Sequence, residues 1–379
     1  MTKIARLGID TSKSVLQLHG VDDQEEMVLQ KKLRRRQLLS FVGQLEPCLI
    51  GLEACGGSHH WARELKALGH QVVLLPPQYV RPYVTRNKND KNDAEAICEA
   101  MDRPKLKGRF VPVKSAEQQA AQMLLGTRED AIKRRTQLSN QIRGYAAEFG
   151  VVAAKGLCQL GPLLARLASD DAIPALAKQM FVKLAQELAE LGPHIAELDK
   201  QLQTWQRSNE LCRRLREVPT IGPVGAGLLA IKVGHPAAFR SGRACAAWVG
   251  LTPKDHSTAG KQRLGGITRA GDEGLRAVLV SGATAYIQQV RRGRTTPSPW
   301  LADLLRRKPL KLAAVALANK TARIAWKLMV SGERYEARRA CGQQRLGAAQ
   351  WGRLRAEPLR RTSNAAHGAD AMSTLRSSA

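Results

Sequence analysis

The stretch "KIARLGID" at residues 3–10 is a short apolar run that ends on an acidic residue, Asp10. The next run, "SVLQLHGV" at residues 14–21, alternates as expected for a hairpin partner, and "EMVLQKKL" at residues 26–33 is compatible with a third strand. These three runs predict that the chain begins with β-structure.

Helical and strand-like segments alternate after these runs, which predicts an α/β domain. Residues 34–45 have a helical period, and residues 48–54, "CLIGLEA", form a buried strand that ends at Glu53. Residues 59–70 form an amphipathic helix, and residues 71–77, "QVVLLPP", form a further apolar strand. Another helix is predicted to start near Asn92 or Asp93.

Four carboxylates occupy the strand ends and the helix start of this domain. The stretch "NKNDKNDAEA" at residues 87–96 places two of them one helical turn apart among lysines and asparagines. Strand-end carboxylates meet at one sheet edge, and an i, i+3 pair shares a helix face, so a cluster is predicted. Such oxygen ligands suit Mg²⁺ or Mn²⁺. Taken singly, each acid could instead be a helix cap or a solvated charge. The four acids are Asp10, Glu53, Asp90 and Asp93.

The charge of the chain indicates a polyanionic partner. The 379 residues carry a net charge of +27, which repels itself unless a polyanion neutralises it. Nucleic acid is the leading partner and an anionic membrane the weaker one. The sequence contains neither a run of about 20 apolar residues nor the apolar region of a signal peptide. We therefore expect a cytoplasmic protein with no membrane partner. The scattered cysteines are expected to be reduced and mostly buried.

A helical region follows the α/β domain. Its second half has apolar residues at alternating four- and three-residue steps, an a/d seam of three heptads. Pro193 interrupts this seam and could kink the helix or start a new one. The seam could pack within the molecule, or it could form an arm for dimerisation or RNA binding. Its members are Leu184, Leu188, Leu191, Ile195, Leu198, Leu202 and Trp205.

The C-terminal third has two features that could contact nucleic acid. Residues 216–234 contain the Gly-Pro-Gly turn of a helix-hairpin-helix element, whose backbone N–H groups can meet phosphates, although such turns also connect helices elsewhere. Residues 256–272 form a polar loop in which Ser257 and Thr258 lie among cations. A hydroxyl in that setting could attack a phosphodiester, but it could also be a helix cap or a phosphate contact. His256 could shuttle protons or be incidental.

Six cations are candidates for nucleic-acid binding. Two flank the acids of residues 87–96, and four follow the hydroxyls of the polar loop. They are Lys88, Lys91, Lys261, Arg263, Arg269 and Arg276.

The patterns together predict four units. These are an α/β metal-binding domain at residues 1–110, a helical or coiled-coil region at 111–210, a mainly α-helical C-terminal domain at 211–335, and a basic, mostly disordered tail at 336–379.

Several motifs together resemble one protein family. They are "GIDTSK" (8–13), "LEACG" (52–56), "KNDKNDAEAI" (88–97), "VPTIGPVGAGLLA" (218–230), "AAWVGLTPKDHSTAGKQRLGGITRAGDEGLR" (246–276) and "ALANKTARIAWKLM" (316–329). The combination resembles the DEDD-type insertion-sequence transposases, bridge-RNA-guided recombinases with a RuvC-like domain. The resemblance covers roughly residues 4–335.

The resemblance implies a fold and a mechanism. The fold is an RNase H-like domain carrying a DEDD tetrad, here Asp10, Glu53, Asp90 and Asp93, and a C-terminal domain that supplies a serine nucleophile, here Ser257. The serine becomes covalently joined to DNA, and the metal site of one subunit works with the serine of another. An element-encoded noncoding RNA pairs with donor and target DNA. The resemblance and the heptad seam together imply a dimer or tetramer. The resemblance also implies a bacterial protein that is associated with the nucleoid when active.

One departure from the family pattern concerns the serine loop. Many relatives have glycine where this chain has Ala259, and Ala narrows the backbone freedom of the loop. A shift of one position in the alignment would make Thr258 the nucleophile.

Two rival functions stay open. One is a RuvC-like junction nuclease that hydrolyses DNA with water and would be indifferent to loss of the serine. The other is a non-catalytic nucleic-acid-binding protein, which would be expected to have lost one of the acids or the hydroxyl.

Overall fold

The computed structural model describes residues 3–84, 90–103 and 110–336, and within the helix that starts at Asp90 the side chains of Asp90 and Lys91 are not described. Lys88 and all but the first residue of the predicted tail, residues 337–379, lie outside the described residues.

The N-terminal domain contains a five-stranded mixed sheet. Its strand order is β3-β2-β1-β4-β5. The pairs β1–β2 and β2–β3 are antiparallel, whereas the pairs β1–β4 and β4–β5 are parallel. All five strands expected from periodicity are present. The strands are β1 (Arg6–Thr11), β2 (Val15–Val21), β3 (Met27–Arg34), β4 (Leu49–Glu53) and β5 (Gln71–Leu75).

Helices cover both faces of this sheet. They are α1 (Leu38–Val42), α2 (Ser58–Ala67), α3 (Pro77–Val80) and α4 (Asp90–Asp102), with 3₁₀ turns at Arg35–Gln37 and Arg81–Tyr83. On one face, Ile9 of β1 and Leu52 of β4 share a core with Trp61 and Leu65 of α2. On the opposite face, Leu75 of β5 shares a core with residues of α4. The helix predicted to begin at Asn92 or Asp93 begins at Asp90.

The middle region is an antiparallel helical pair with a third helix at its far end. It consists of α5 (Ala116–Glu148), a 3₁₀ turn at Leu157–Gln159, α6 (Leu160–Ser169) and α7 (Ala175–Ser208). At about 1.5 Å per residue, α5 is about 50 Å long. Ser115 caps α5 by accepting a hydrogen bond from the Gln118 N–H, and the Gln118 side chain accepts one from the Ser115 N–H in return.

The heptad seam of α7 packs within the molecule. Leu184, Leu188 and Leu191 contact a core that includes Leu138 and Ile142 of α5. Further along α7, Ile195 and Leu198 pack on Ala131, and Leu202 packs with Ala121 and Leu125. The helix continues through Pro193 without restarting. Of the two possibilities left by the sequence, intramolecular packing therefore accounts for this seam.

The C-terminal region is mainly helical around one core. Its helices are α8 (Glu210–Leu215), α9 (Pro223–Lys232), α10 (Gly242–Trp248), α11 (Glu273–Arg291), α12 (Pro299–Arg307) and α13 (Leu310–Ser331), with a 3₁₀ turn at Pro236–Ala238. The small side chains of Ala314, Ala318 and Ala322 are buried on α13 and let it pack closely against α11. Two short strands that sequence periodicity did not predict, β6 (Pro253–Asp255) and β7 (Leu264–Ile267), form an antiparallel hairpin.

A short connecting segment joins the sheet domain to the helical domain. The Val111 N–H donates to the Leu74 carbonyl at the sheet edge (2.8 Å), and the Lys114 N–H donates to Nδ1 of His59 on α2 (3.2 Å). Arg63 donates to the Lys114 carbonyl at 2.8 Å. Lys114 also lies near the ion pair of Lys232 with Asp272 (2.6 Å) in the helical domain. The segment therefore contacts both domains.

Across the described parts of the chain, no helix combines the length and the apolar character needed to cross a membrane.

Candidate functional site

Asp10 and Glu53 lie side by side at one edge of the sheet. The parallel pairing of β1 with β4 places Ile9 opposite Leu52, so the residue after each of them, Asp10 and Glu53, reaches the same carboxyl edge. Both residues are half-buried, and both have interactions with neighbouring residues. The predicted convergence of strand-end acids is therefore observed for this pair.

Two glycines show that these acids face α4. A Cβ on Gly8 would lie 2.2 Å from the Ala94 carbonyl oxygen, and a Cβ on Gly51 would lie 2.3 Å from the Met101 sulfur. Both glycine positions therefore point at α4. Because side chains two residues apart in a strand share a face, Asp10 and Glu53 point to the α4 side of the sheet.

The first turn of α4 carries the other two acids. Asp90 and Asp93 precede Ala94, the residue that touches Gly8. One turn further along α4, the thiol of Cys98 lies 3.9 Å from the carbonyl of Arg6, the first residue of β1. The helix thus runs opposite to β1 and begins near the edge that holds Asp10. The Asp93 side chain is half-buried, whereas that of Asp90 lies outside the described residues.

The donor chemistry of this edge fits a divalent ion, although the described side chains do not form a closed site. Among residues 3–84, 90–103 and 110–336, no group of three or more His, Cys, Asp or Glu side chains is close enough to bind a metal ion. The Asp90 carboxylate lies outside the described side chains. Oxygen ligands from Asp10, Glu53 and Asp93 are of the type that Mg²⁺ and Mn²⁺ accept.

The serine loop is the tip of the β6–β7 hairpin. The His256 N–H donates to the Arg263 carbonyl (2.8 Å), which extends the pairing beyond the strands. A turn closes the tip, with the Lys261 N–H donating to the Thr258 carbonyl at 3.0 Å. Residues 253–266 are exposed, so no alternation of buried and exposed positions marks this hairpin in the sequence.

The two central residues of this turn both have positive φ. Ala259 has φ 47° and Gly260 has φ 77°, which is the pattern of a type I′ hairpin turn. Glycine adopts this backbone conformation without penalty, whereas alanine is disfavoured there. The alanine at residue 259 is therefore accommodated with backbone strain.

Ser257 has a defined hydrogen-bond environment on this hairpin. Its hydroxyl donates to Oδ1 of Asp255, and its Oγ accepts from the Arg263 N–H at 3.0 Å. The Ser257 N–H also donates to Oδ1 of Asp255 (2.9 Å). Within the described residues, no comparable side-chain hydrogen bond involves Thr258. The geometry therefore favours Ser257 over Thr258 as the hydroxyl held in one orientation.

Asp255 was not among the candidates that the sequence suggested. The signal that could have found it is the Asp-x-Ser spacing at residues 255–257, which lets a carboxylate accept from the hydroxyl and the N–H two residues later. The hydrogen bonds from the Ser257 side chain and backbone lower the pKa of the Asp255 carboxyl. His256, between the two, packs its ring against Gly265 on β7.

The predicted cations of this region divide into two groups. Lys261, Arg263 and Arg269 are exposed, and none of them forms an ion pair within the described part of the chain. Arg276 is different, because it is only 9% exposed and its Nη1 donates to the carbonyls of Val249 (3.2 Å) and Gly271 (3.1 Å). The expectation of a phosphate contact at Arg276 therefore needs correction: this guanidinium is a structural group that anchors the base of the hairpin.

The turn between α8 and α9 presents only part of its backbone to solvent. Thr220 is buried, and its hydroxyl hydrogen-bonds with that of Thr321 on α13 (2.6 Å). Gly222 and Pro223 are exposed at the start of α9. Of the predicted helix-hairpin-helix surface, the start of α9 is the accessible part.

The cysteines match the expectation of reduced and mostly buried thiols. Of the six that the structure describes, all are free and four are buried. Burial raises the pKa of Cys48 to about 11 and those of Cys212 and Cys245 to about 12. These three thiols are therefore protonated at neutral pH and poor metal ligands.

Two family models match this chain. Residues 7–149 match DEDD_Tnp_IS110, described as "Transposase", and residues 212–296 match the model described as "Transposase IS116/IS110/IS902 family". A relative in Sinorhizobium fredii, named "Putative transposase y4pF/y4sB", is 58% identical over 90% of this chain and 87% of its own length. The chain belongs to the IS110 family of insertion-sequence transposases. The transposase is therefore a DNA-processing enzyme that performs strand transfer.

Other relatives cover the transposase to a similar extent. "Transposase for insertion sequence element IS1111A" of Coxiella burnetii is 36% identical over 88% of this chain and 92% of its own length. "Transposase for insertion sequence element IS1328" of Yersinia enterocolitica is 36% identical over 88% of this chain and 98% of its own length. The family model over residues 7–149 carries the DEDD name, which indicates divalent-metal dependence without identifying the metal.

Proposed function

We propose that this transposase exchanges DNA strands through a covalent protein–DNA intermediate formed by Ser257, with the acids Asp10, Glu53, Asp90 and Asp93 holding Mg²⁺ or Mn²⁺. The observation that carries the proposal is the placement of the Ser257 hydroxyl. It lies at an exposed hairpin tip, and its Oγ is held by the Arg263 N–H. Three exposed cations, which form no ion pair in the part of the chain that the structure describes, follow it in the sequence.

The chemical step at Ser257 is a transesterification. The Ser257 oxygen forms a bond to the phosphorus of a DNA phosphodiester, and the bond from that phosphorus to one deoxyribose oxygen breaks. The departing oxygen leaves with the bonding electron pair and takes a proton from water, while the serine proton passes to solvent. Lys261, Arg263 and Arg269 can neutralise charge on the pentavalent phosphorus. The phosphodiester energy is conserved in the serine–DNA bond, so a second strand can later replace the serine.

The acid edge is proposed to hold the cation. Two features support this assignment: Asp10 and Glu53 directly follow the paired residues Ile9 and Leu52 at one sheet edge, and α4 begins near that edge. A bound divalent ion would stabilise charge on the attacking and leaving oxygens of a phosphodiester. The four side chains would orient the ion, and Lys88 and Lys91, next to Asp90 in sequence, would contact the DNA backbone.

Guidance by an element-encoded RNA is proposed for target choice. The net charge of +27 favours phosphate binding without sequence preference. The sequence has few aromatic residues and no recognisable homeodomain, zinc-finger or basic-zipper pattern. Specificity then has to come from another source, which base pairing supplies in other RNA-guided systems. The exposed start of α9 is a candidate phosphate contact of the helix-hairpin-helix type.

The transposase is proposed to act as a dimer or tetramer. Because the heptad seam is used within the molecule, another surface has to join the subunits. The far end of the helical region exposes apolar side chains, among them Tyr145 and Phe149 at the end of α5 and Leu176 and Met180 at the start of α7. Exposed apolar groups of this kind are typical of protein–protein contacts.

The test combines purified transposase, flanking RNA of its element, labelled donor and target DNA, and Mg²⁺. A denaturing gel should reveal protein covalently attached to DNA, and the adduct should be absent with Ser257→Ala and with Asp10→Ala. Thr258→Ala is the matched control and should still form the adduct. DNA that is cut equally well by Ser257→Ala would instead establish a RuvC-like nuclease that uses water.

A further inference from the structure

Within the described residues of the hairpin tip, Ser257 is the only one whose hydroxyl both donates a hydrogen bond and accepts one. The proton points to Oδ1 of Asp255, and the Arg263 N–H occupies one lone pair at 3.0 Å. A serine oxygen has two lone pairs, so one is left to form a bond. The direction of that remaining lone pair is set by the two hydrogen bonds.

A single carboxylate oxygen fixes both the backbone and the side chain of the serine. Oδ1 of Asp255 accepts from the Ser257 N–H at 2.9 Å as well as from its hydroxyl. Asp255 is itself the last residue of β6, and the next residue, His256, is paired through its N–H to the Arg263 carbonyl. The acceptor is therefore anchored by the ladder of the hairpin and does not depend on the turn at residues 258–261.

We propose that Asp255 is a positioning residue for strand transfer, which holds the Ser257 hydroxyl so that its free lone pair points at the scissile phosphorus. This inference rests on the proposed role of Ser257 as nucleophile. Asp255 acts through the serine and contacts no DNA itself, because a carboxylate beside a phosphate would be repelled. Its ionised form accepts hydrogen bonds only, so the hydroxyl proton has one preferred direction.

Two substitutions separate positioning from charge. Asp255→Ala removes the acceptor, whereas Asp255→Asn keeps an Oδ1 that can accept from both the N–H and the hydroxyl of Ser257. Misplacement of a reacting group by about 1 Å can cost about 100-fold in rate. We expect Asp255→Ala to slow adduct formation by about 10- to 100-fold, and Asp255→Asn to restore the rate to within about threefold of the unaltered protein.

A charge-matched control uses a second exposed aspartate. Asp303 on α12 pairs with Arg306 (2.8 Å) and Arg307 (2.6 Å), within its own helix and outside the hairpin. Asp303→Ala removes the same charge and should leave adduct formation unchanged. Binding of labelled DNA should not be weakened in any of the three variants, since none of them removes a cation.

The experiment is a time course of adduct formation with the full chain, RNA, DNA and Mg²⁺. A slower rate of adduct formation with Asp255→Ala, together with a nearly unaltered rate with Asp255→Asn, supports the positioning role. Equal loss in both variants overturns it, because the charge of the carboxylate would then be what matters. An Asp255→Ala rate within twofold of the unaltered protein also overturns it. If the unaltered protein forms no adduct, the proposed role of Ser257 fails first, and the inference falls with it.

Discussion

Gly8 of β1 and Ala94 of α4 touch so closely that a Cβ on Gly8 would lie 2.2 Å from the Ala94 carbonyl oxygen. This contact sets the height of α4 above the sheet. Because Asp10 lies two residues beyond Gly8 and Asp93 immediately precedes Ala94, the same contact holds the two halves of the acid edge together. A side chain at residue 8 would have to lift the helix that carries Asp90 and Asp93.

Gly8→Ala should therefore be strongly destabilising and should lower strand-transfer activity. The neighbouring atom belongs to the backbone of a helix and cannot move alone, so we expect a loss of about 2–3 kcal/mol in the free energy of unfolding. Urea denaturation followed by circular dichroism measures it. An unchanged midpoint would mean that α4 does not rest on β1 as described.

Two other glycines serve as matched controls for that substitution. A Cβ on Gly51 would meet the side chain of Met101, which can change rotamer, so Gly51→Ala should cost less than Gly8→Ala. Gly144, within α5, has open space around it, and Gly144→Ala should stabilise the helix by about 0.5–1 kcal/mol. The predicted order of stability is thus Gly144→Ala, then Gly51→Ala, then Gly8→Ala.

Ala259→Gly should relieve strain at the hairpin tip. Ala259 has φ 47°, a conformation that costs an L-residue roughly 1–2 kcal/mol, and the greater freedom of glycine in the unfolded chain offsets part of the gain. We expect the turn to be more stable by about 0.5–1 kcal/mol. Hydrogen exchange of peptides covering residues 256–264 should slow roughly two- to fivefold, corresponding to that free energy.

The reverse substitution at the next position checks the same turn. Gly260 has φ 77°, so Gly260→Ala should accelerate exchange in the same peptides. Faster exchange in Ala259→Gly would contradict a type I′ turn at residues 258–261.

The sheet could be predicted from sequence because burial imposes a pattern on it. β1, β2, β4 and β5 pack apolar side chains against helices, so their residues form apolar runs that end at polar positions. The acids Asp10 and Glu53 stand at those ends, and their meeting at one edge follows from parallel pairing alone. The heptad seam of α7 could also be predicted from its apolar spacing. The surface that covers it could not, because either α5 or a second subunit could bury the same apolar residues.

The serine hairpin could not be predicted in the same way. Its residues are exposed on both faces, so neither strand leaves a periodic signal, and the chain was expected to form a loop there. Lys261 and Arg263 are exposed because the hairpin holds them at its tip. The burial of Arg276 depends on the carbonyls of Val249 and Gly271, which converge only after the hairpin base has folded. Charge alone does not distinguish an arginine that binds carbonyls from one that binds phosphates.

His59 should make the stability of the protein sensitive to acid at the segment that connects the sheet domain to the helical domain. Burial, together with the nearby charges of Lys114 and Arg63, lowers the pKa of His59 to about 4 from an ordinary value of 6.5. In the folded protein the neutral ring accepts from the Lys114 N–H. Between pH 6.5 and 4 the unfolded chain binds a proton that the folded protein does not, so the free energy of unfolding falls as the pH falls through this window.

His59→Asn should flatten that pH dependence, because Oδ1 of asparagine can accept the same hydrogen bond without binding a proton. Thermal melts of the unaltered protein and of His59→Asn are measured at pH 7 and at pH 5. The difference in melting temperature between the two proteins should be smaller at pH 5 than at pH 7. Burial also lowers the pKa of His19, which keeps some acid sensitivity in the variant. His60→Asn, on the exposed side of α2, is the control, and an equal effect in that variant would assign the change to the surface.

Lys261 and Arg276 should respond to substitution in opposite ways. Lys261 is exposed without an ion pair in the described structure, so Lys261→Ala should reduce the slope of log affinity against log salt for duplex DNA by about 1 and leave stability unchanged. Arg276 is buried against two carbonyls, so Arg276→Ala should cost about 2–3 kcal/mol in stability. Fluorescence anisotropy across a salt series and urea denaturation separate the two effects. A stable Arg276→Ala protein with a reduced salt slope would restore Arg276 to the DNA-binding surface and would mean that the base of the hairpin opens when DNA binds.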